Sequence, residues 1–543
     1  MTDDPTTSQP APVTEGAHGD AVPRREFLRV AGAGAGLLLV GGSDLSASAA
    51  VPGIRPRSSV PSVYASADVV VIGAGAWGSF TALNLRKRGV NVTLVDAFGP
   101  GNARSTSGDE TRGVRSSYGD RPGEQGELWT LWAREAMKRW IAFDDEWGRH
   151  FRLNLFHTTG DLIMRTEWDN FQLRTKVWWD KHKIPYQVLS PDDVRKAFPV
   201  ISIDDITAVL YEPDAGVVRA RRAAQTAAGA FESLGGKIVI GRAMPLKTVN
   251  GKLAEITLDT GQTLRADTFV FAVGPWMAKT FPELLGKKTR APLDHVCYFG
   301  TPVNDQRFTF PNLPSYNFPG VTGWAALPVD NRGFRVRGTE RAPTPPGEVA
   351  GADGRGRAGG VGAAAAADSG RAPATTGGAI AADSARAGVG GRGGRGGGGG
   401  RGGAGGPQQP VDPRQADPDT SDRWVEAARI DGSRRFVARR FPLLKDAPVA
   451  QTHACHYEST SSRNFIIDTH PQMPNVWIVA GGNSEGFKFS PVVGDYAAQR
   501  ILGEVGDPAV AKSFRIPEKE YEPVPPTQPA DSTRRPPPPG DSD

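Results

Sequence analysis

Cysteine is scarce in this chain, which has only Cys297 and Cys455 among its 543 residues. Two cysteines so far apart exclude a disulfide scaffold, a CxxC redox site and a cysteine-rich metal site, and we expect two unpaired thiols. The eight histidines show no spacing typical of a metal site, so no metal is expected. The sequence also has no apolar run of the roughly 20 residues that a membrane-spanning helix needs.

An excess of charge of one sign is also absent. The formal net charge is +5, and residues 351–410 supply most of it, so a nucleic-acid-binding surface is not indicated. The same residues contain 23 Gly and 15 Ala and no aromatic side chain, which leaves almost nothing apolar to bury. We predict a disordered Gly/Ala/Arg-rich insertion at 342–417 and a disordered Pro-rich tail at 516–543. The remainder is long enough for two or three domains.

The first residues resemble an export signal. The pair Arg24-Arg25 precedes a short apolar stretch, Val30–Val40, and then Ala47-Ser48-Ala49. A positive segment, a short apolar segment and an A-x-A site predict a twin-arginine signal in residues 1–50. We therefore expect a periplasmic or extracellular protein with no stable membrane span after the signal is removed.

A dinucleotide-binding pattern follows at residues 68–96. It comprises a β-branched strand, a glycine turn, a helix, a second strand and an acid: Asp68–Ile72, Gly73-Ala74-Gly75-Ala76-Trp77-Gly78, Ser79–Arg88, Val92–Val95 and Asp96. In such a G-x-G-x-x-G turn the first glycine permits the tight turn, the second lets the backbone approach a pyrophosphate, and the third lets helix and strand pack closely. The helix N-terminus faces the anion and the acid accepts from a ribose hydroxyl. The pattern predicts a dinucleotide without distinguishing NAD from FAD.

Two later segments also read as buried strands that end in glycine turns. Residues 266–276 end at Gly274-Pro275-Trp276, and residues 475–482 end at Gly481-Gly482, followed by Gly486-Phe487-Lys488. Glycine turns returning from distant parts of the chain are typical of a large cofactor held from several directions.

With these motifs in place, the chain resembles the glycine/D-amino-acid oxidase family of FAD-dependent oxidoreductases, and within it the sarcosine oxidase branch. The similarity covers about residues 66–340 and 418–510. Beyond the glycine turn, four motifs carry it: SGDETRGVRSSYG from Ser107, GVVR from Gly216, AVGPW from Ala272 and GGNSEGFKFSP from Gly481.

The resemblance implies roles for individual residues. It assigns the ADP part of FAD to the glycine turn and its helix, and the ribityl chain and ring to later segments. The implied cofactor residues are Gly73, Gly75, Ala76, Trp77, Gly78, Asp96, Ser107, Thr111, Arg112, Gly274, Trp276, Gly482, Gly486, Phe487 and Lys488. Arg115 and Lys488 match positions that clamp the substrate carboxylate, although a surface salt bridge for Arg115 and a solvated lysine for Lys488 are the alternatives.

Two departures from the family pattern stand out. The branch tethers its flavin through a cysteine in the strand before a G-[LF]-K motif, but the matching stretch here, Asn331-Arg332-Gly333-Phe334-Arg335, contains no cysteine, so the resemblance implies non-covalent FAD. Arg332 and Arg335 are expected to add positive charge to the pocket. Glu485 replaces a frequent histidine and could pair with Lys488 or favour a cationic substrate. His295 is more typical of a structural histidine than of a proton acceptor.

The predicted fold is α/β, with a discontinuous Rossmann-like FAD-binding domain and an interleaved α+β substrate domain containing a mixed sheet. The first domain comprises residues 66–150, 205–280 and 455–512, and the second comprises 151–204 and 281–454.

The sequence thus predicts an exported FAD-dependent oxidoreductase that moves a hydride from the carbon next to nitrogen in a small amine or in a secondary or N-methyl amino acid to flavin N5. O2 is the expected acceptor, giving H2O2. A dehydrogenase that passes electrons to a quinone or another acceptor is one alternative. A flavin-binding interaction protein without turnover is the other.

Overall fold

A computed structural model describes residues 67–148, 153–244, 247–249, 251–329, 332–339, 417–504 and 507–522. The expected signal at 1–50 and the expected insertion, except Asp417, lie outside these residues.

The described secondary structure alternates between strands and helices along the chain. The strands are β1 (Ala67–Ile72), β2 (Val92–Asp96), β3 (Thr111–Val114), β4 (Phe156–Thr158), β5 (Asp161–Arg165), β6 (Gln187–Leu189), β7 (Ala208–Glu212), β8 (Gly216–Arg219), β9 (Lys237–Ile240), β10 (Lys247–Val249), β11 (Lys252–Thr257), β12 (Thr263–Phe271), β13 (Thr289–Arg290), β14 (Leu293–Phe299), β15 (Ser315–Phe318), β16 (Val321–Trp324), β17 (Phe334–Arg337), β18 (Val449–His456), β19 (Ser459–Thr460), β20 (Ile466–His470) and β21 (Met473–Ala480). The α-helices are α1 (Ala76–Lys87), α2 (Gly123–Trp147), α3 (Asn170–Lys181), α4 (Pro191–Ala197), α5 (Ala220–Ser233), α6 (Met277–Thr280), α7 (Pro282–Leu285), α8 (Ala427–Arg440), α9 (Ser490–Ile501) and α10 (Pro508–Ser513). Short 3-10 helices occupy Thr106–Gly108, Gly274–Trp276, Gln306–Phe308, Pro442–Leu444 and Gly486–Phe489.

The first sheet is built on parallel strands whose carboxyl ends share one edge. β1 pairs in parallel with β2 and β12, β2 with β9, and β12 with β21. The β-branched run Val69–Val71 is almost completely buried, as expected for a parallel strand covered on both faces. β20 pairs with β21, and the antiparallel strands β10 and β11 extend the sheet beyond β12. The parallel arrangement brings the turns after β1, β2, β12 and β21 to one place.

The second sheet is mixed, in the order β18-β14-β17-β16-β15-β5-β7-β6. All of its pairs are antiparallel except β15 with β5. A three-stranded sheet, β3-β8-β4, forms separately. The sequence predicts strands of the substrate domain at residues 162–164, 296–300 and 334–336, and they correspond to β5, β14 and β17.

Helices α1, α2, α5 and α9 contribute to the apolar core on one face of the first sheet. The sequence predicts a helix at about residues 125–147 whose tryptophans belong to the core, and Trp129 and Trp140 of α2 are fully buried there. Cys297 and Cys455 are both buried and unpaired. In the part of the chain that the structure describes, no helix combines the length and the apolarity that a membrane crossing requires.

Two predicted boundaries differ from the structure. β7 lies within the predicted cofactor-binding range from residue 205, yet it pairs with β5 and β6 in the second sheet, because an apolar strand does not encode which sheet it joins. The predicted disordered tail begins too early at residue 516. Ile516 N donates to Asp468 Oδ2 at 3.0 Å, and the Tyr521 ring lies 4.0 Å from the Arg290 guanidinium, so this stretch packs on the core.

Candidate active site

The glycine turn after β1 leaves no room for side chains at two of its three glycines. Gly73 has a φ of +103°, and a Cβ there would lie 2.4 Å from the backbone oxygen of Ala272. A Cβ on Gly78 would lie 1.8 Å from the oxygen of Gly73. The turn is therefore fixed by backbone contact with the neighbouring strand and with its own first residue. A Cβ on Gly75 would meet only Ser107 Oγ, at 3.5 Å, so this position is open to close approach.

Two side chains bind amides at this turn. Ser107 Oγ accepts from Ala76 N at 2.9 Å, at the start of α1. The Asp96 carboxylate accepts from Ala74 N at 2.7 Å and from Phe98 N at 2.8 Å. Burial raises the pKa of Asp96, although these amides oppose the shift. Ser107 and Asp96 thus stand beside the helix N-terminus, as the dinucleotide pattern predicts.

The other glycine turns meet this one. Trp77 Nε1 donates to Gly486 O at 2.8 Å, which joins the first turn to a loop 409 residues away. Gly274 has a φ of +53°, and no atom lies within 4 Å of where its Cβ would be. Trp276 Nε1 donates to Asp419 Oδ1 at 2.8 Å. Both turns thus lie at the edge where the parallel strands end.

A buried carboxylate supports the turn that contains Gly482. Glu458 Oε2 accepts from Gly481 N at 2.6 Å, and Oε1 has no hydrogen-bond partner among the described residues. Burial raises the pKa of Glu458 to about 8. The sequence gives no signal for this carboxyl group.

A charged cavity lies next to these turns. Its empty space, with the open solvent at its mouth included, is about 650 Å³. Its charged walls come from the segment after β3, from the second sheet and from the loop before α9. The ionisable lining residues are Arg112, Arg115, Asp294, His295, Arg335, Arg337, His453, Cys455, Tyr457, Glu485 and Lys488.

Arg115 carries the unpaired cation of this cavity. Its guanidinium makes no hydrogen bond or ion pair within the described ranges, whereas most other lining cations are paired. Burial lowers its pKa, but the charges of Asp161 and Glu485 outweigh that effect and raise it. Arg115 is therefore a charged group with free N–H donors facing the cavity, not a surface salt bridge.

Lys488 is buried, with only 3% of its surface exposed, so it is not a solvated lysine. Its Nζ donates to Tyr118 Oη at 2.8 Å and forms an ion pair with Glu485. Burial lowers the pKa of Lys488 to about 8, against the pull of Glu485. Burial alone would raise the pKa of Glu485, but Lys488, Arg115 and Arg337 together lower it to about 2.

Arg335 and Arg112 share one buried carboxylate, Asp109. Arg335 Nη2 lies 3.2 Å from Asp109 Oδ2, and Arg112 also forms an ion pair with it. The Arg335 guanidinium stacks 4.1 Å from the centre of the Trp324 ring, and Trp324 Nε1 donates to Thr111 Oγ1 at 3.0 Å. This group forms the wall of the cavity that is nearest to β3.

Arg332 does not line this cavity. Its Nε lies 3.0 Å from Glu110 Oε2, and its Nη1 donates to Gln451 Oε1 at 2.8 Å. The expectation that it adds charge to the pocket is therefore wrong. Arg332 precedes β17, whereas Arg335 and Arg337 lie two residues apart within it and face the same side.

Several lining residues are not marked as site residues by any motif in the sequence. Arg337 pairs with Asp294 across β14 and β17, and Cys455 Sγ lies 3.5 Å from Arg112 Nη2. Strand alternation from Arg335 would have found Arg337, but nothing local marks Cys455. Burial lowers the pKa of His295 to about 4 and that of His453 to about 3, so both rings are neutral.

These residues fit a flavin dinucleotide. The first turn offers a helix N-terminus and a ribose acceptor, and Phe487 stacks on Trp140, with ring centres 5.7 Å apart, beside the cavity. Among the described atoms, Arg335 Nε and Nη1 and His453 Nε2 are buried without hydrogen-bond partners. Such atoms need polar groups that a bound ring could supply.

The chain is similar to known flavin-dependent oxidoreductases over most of its length. The sequence pattern of the family described as "DAO: FAD dependent oxidoreductase" matches residues 68–500. The chain is 24% identical over 448 residues to monomeric sarcosine oxidase of Bacillus sp. (strain B-0618), covering 80% of this chain and 92% of that protein. It is 24% identical to human peroxisomal sarcosine oxidase, covering 79% and 90%. The solved structure of fructosamine oxidase (Amadoriase II) from Aspergillus fumigatus superimposes with a TM-score of 0.60 at 19% identity, covering 83% of this chain and 90% of that one.

Proposed function

This chain belongs to the DAO family of FAD-dependent oxidoreductases, and from that premise we propose that it oxidises the C–N bond of a small secondary or N-methyl amino acid. The proposed acceptor of the electrons is O2, with H2O2 as the product. The relatives named sarcosine oxidase support this substrate class, since sarcosine is N-methylglycine.

The observation that carries the proposal is the free guanidinium of Arg115 in the charged cavity. A buried cation without a protein partner is costly unless a ligand supplies the anion, and a guanidinium matches a carboxylate in a two-pronged geometry. A substrate carboxylate on Arg115 would place the rest of a small amino acid between Phe487 and the wall formed by Arg335 and Trp324.

The residues of the chain would orient the substrate and set its protonation. FAD, when bound, supplies the group that takes the hydride from the carbon next to nitrogen and hands the electrons to the acceptor. A neutral amine is what releases the hydride, so a substrate that binds as an ammonium must lose that proton before the hydride leaves. Arg112 and Arg335 would stabilise negative charge on the reduced cofactor.

A substrate panel tests the proposal. Purified holoenzyme should be bleached by an N-methyl amino acid without air and should consume oxygen and release peroxide when air returns. Bleaching without oxygen uptake would instead indicate a dehydrogenase that uses another acceptor. No bleaching by any amine or amino acid would contradict the proposal.

We also propose that FAD is held without a covalent bond. The stretch from Asn331 to Arg335, which matches the family's tethering segment, contains no cysteine, but Cys455 lies in the cavity wall. Acid precipitation should release all of the yellow colour from the wild-type protein. If colour stays on the wild-type protein but leaves the Cys455→Ser variant, the tether exists and Cys455 forms it.

Export is the last part of the proposal, and it rests on the Arg24-Arg25 pair and the apolar stretch that follows. The protein should accumulate outside the cytoplasm, and Arg24→Lys combined with Arg25→Lys should retain it inside. If the wild type and the double variant divide in the same way between the cytoplasm and the outside, the result argues against a twin-arginine signal.

A further inference from the structure

We propose that Glu485 makes the cavity selective for zwitterions, with Arg115 binding the substrate carboxylate and Glu485 binding its positively charged or polar amino group. This inference rests on the proposed function and names a determinant of its substrate class. It also gives Lys488 a smaller role in binding the substrate carboxylate than the sequence predicts, because Lys488 forms an ion pair with Glu485.

The pairing of charges around the cavity is the first argument. Arg337 pairs with Asp294, Arg112 and Arg335 pair with Asp109, and Lys488 pairs with Glu485. Among the described residues, Arg115 is then the lining arginine or lysine that has no ion pair, and its guanidinium can bind an added carboxylate. A cavity that clamped the carboxylate between Arg115 and Lys488 would have no need of a carboxylate on the lysine.

One carboxylate oxygen of Glu485 accepts no hydrogen bond from the described residues. Lys488 Nζ contacts Oε2, and no described residue donates to Oε1. About 23% of the Glu485 side chain is exposed, and the residue lines the cavity together with Arg115 and Tyr457. The cavity therefore presents a negatively charged hydrogen-bond acceptor in the same wall as the free guanidinium of Arg115.

The backbone directly before Glu485 adopts a conformation that is unfavourable for residues other than glycine. Asn483 and Ser484, directly before Glu485, have φ values of +49° and +60°, a region that residues other than glycine seldom adopt. Glu485 N donates to Gly482 O at 2.9 Å. Strained backbone of this kind concentrates at binding and catalytic sites, and here it presents Glu485 to the cavity.

Two ligands of equal shape test the inference. N,N,N-trimethylglycine and 3,3-dimethylbutanoate (tert-butylacetate, the carboxylate and not the ester) share a carboxylate and a bulky end. Only the first carries a positive charge, and neither can lose a hydride to the flavin. Calorimetric titration of the holoenzyme should show that trimethylglycine binds about tenfold more tightly, equal to about 1.4 kcal/mol. In Glu485→Gln this preference should vanish, and tert-butylacetate should bind as well as or better than it binds to the wild type.

Two further variants complete the experiment. Glu485→Asp keeps the charge and should keep most of the preference, while Glu146→Gln removes an exposed charge on α2 and should leave the preference unchanged. Equal binding of both ligands to the wild type, or an unchanged preference in Glu485→Gln, overturns the inference. Equal weakening of both ligands in Glu485→Gln also overturns it, because a merely structural role predicts that result. Failure of the proposed function would appear differently, as a holoenzyme that no amine reduces.

Discussion

The glycine turn after β1 and the charged cavity form neighbouring parts of one site, but they are specified in different ways. The turn is a contiguous stretch in which backbone atoms lie too close for any side chain at Gly73 and Gly78. The cavity is assembled from segments several hundred residues apart, and its properties depend on which charges are paired. Shape determines the first region and charge balance the second.

Two glutamates show the same contrast, Glu458 beside the turn that contains Gly481 and Glu485 in the wall of the cavity. Glu458 supports the glycine turn with no cation at hand, and burial raises its pKa to about 8. Glu485 is also desolvated, but Lys488, Arg115 and Arg337 lower its pKa to about 2. The same side chain is therefore expected to be protonated at the turn and ionised in the cavity at neutral pH.

The largest effect should come from adding one methyl group to the turn. Gly78→Ala would place Cβ 1.8 Å from the oxygen of Gly73, and displacing backbone of this kind should cost about 3 kcal/mol of unfolding free energy or more. We expect a colourless, less stable protein. Gly229→Ala is the matched control, since Gly229 also lies in a helix but has open space around it, and this change should stabilise by about 1 kcal/mol. Similar effects of the two substitutions would refute the claim that shape determines the turn.

The pH dependence of stability should separate the two glutamates. The pKa of Glu458 is raised from 4.5 to about 8 in the folded protein, so its contribution to stability falls as the pH rises through this range. Glu458→Gln should therefore gain stability relative to the wild type towards pH 8, on the order of a few kcal/mol.

Glu485 should behave in the opposite way. Its pKa is lowered from 4.5 to about 2, so it stabilises the fold above pH 4.5 and loses that contribution as the pH falls towards 2. Glu485→Gln should be less stable than the wild type near pH 7, by about 3 kcal/mol, and should approach it in acid. Denaturant unfolding at a series of pH values checks both variants. If the unfolding free energies of Glu458→Gln and Glu485→Gln, each relative to the wild type, change with pH in the same direction, the two glutamates do not differ in ionisation as proposed.

The sequence predicts the glycine turn and its strands better than it predicts the charged cavity. The turn, β1, β2, β12, β21 and α2 could be placed because glycine spacing and β-branched runs encode local structure. Membership of β7 in the second sheet could not be placed, since pairing is a long-range choice. The cavity was only half predicted. Arg115, Arg335 and Lys488 line it, but Arg332 does not, and the partners that set their charge come from other strands and loops.

The next prediction compares two arginines of the cavity. Arg115→Met should raise KM for an N-methyl amino acid about a hundredfold, because a charged hydrogen bond to the substrate is lost, with little change in Tm. Arg337→Met should mainly lower Tm, because it leaves Asp294 without the ion pair shown at Arg337 Nη2. Steady-state kinetics and thermal unfolding distinguish them. A large fall in Tm for Arg115→Met would mean that its guanidinium has a structural partner.

Lys488→Met should have the smallest effect, a rise in KM of about tenfold, or about 1.4 kcal/mol. The ammonium is buried and already paired with Glu485 and Tyr118, so it adds less to carboxylate binding than Arg115 does. Because burial lowers the pKa of Lys488 to about 8, the wild-type KM should rise as the pH increases through 8 and the lysine loses its proton. The variant should show no such rise. If Lys488→Met raises KM as much as Arg115→Met does, the lysine is a full partner in binding the carboxylate, and charge pairing does not determine which cations of the cavity bind substrate.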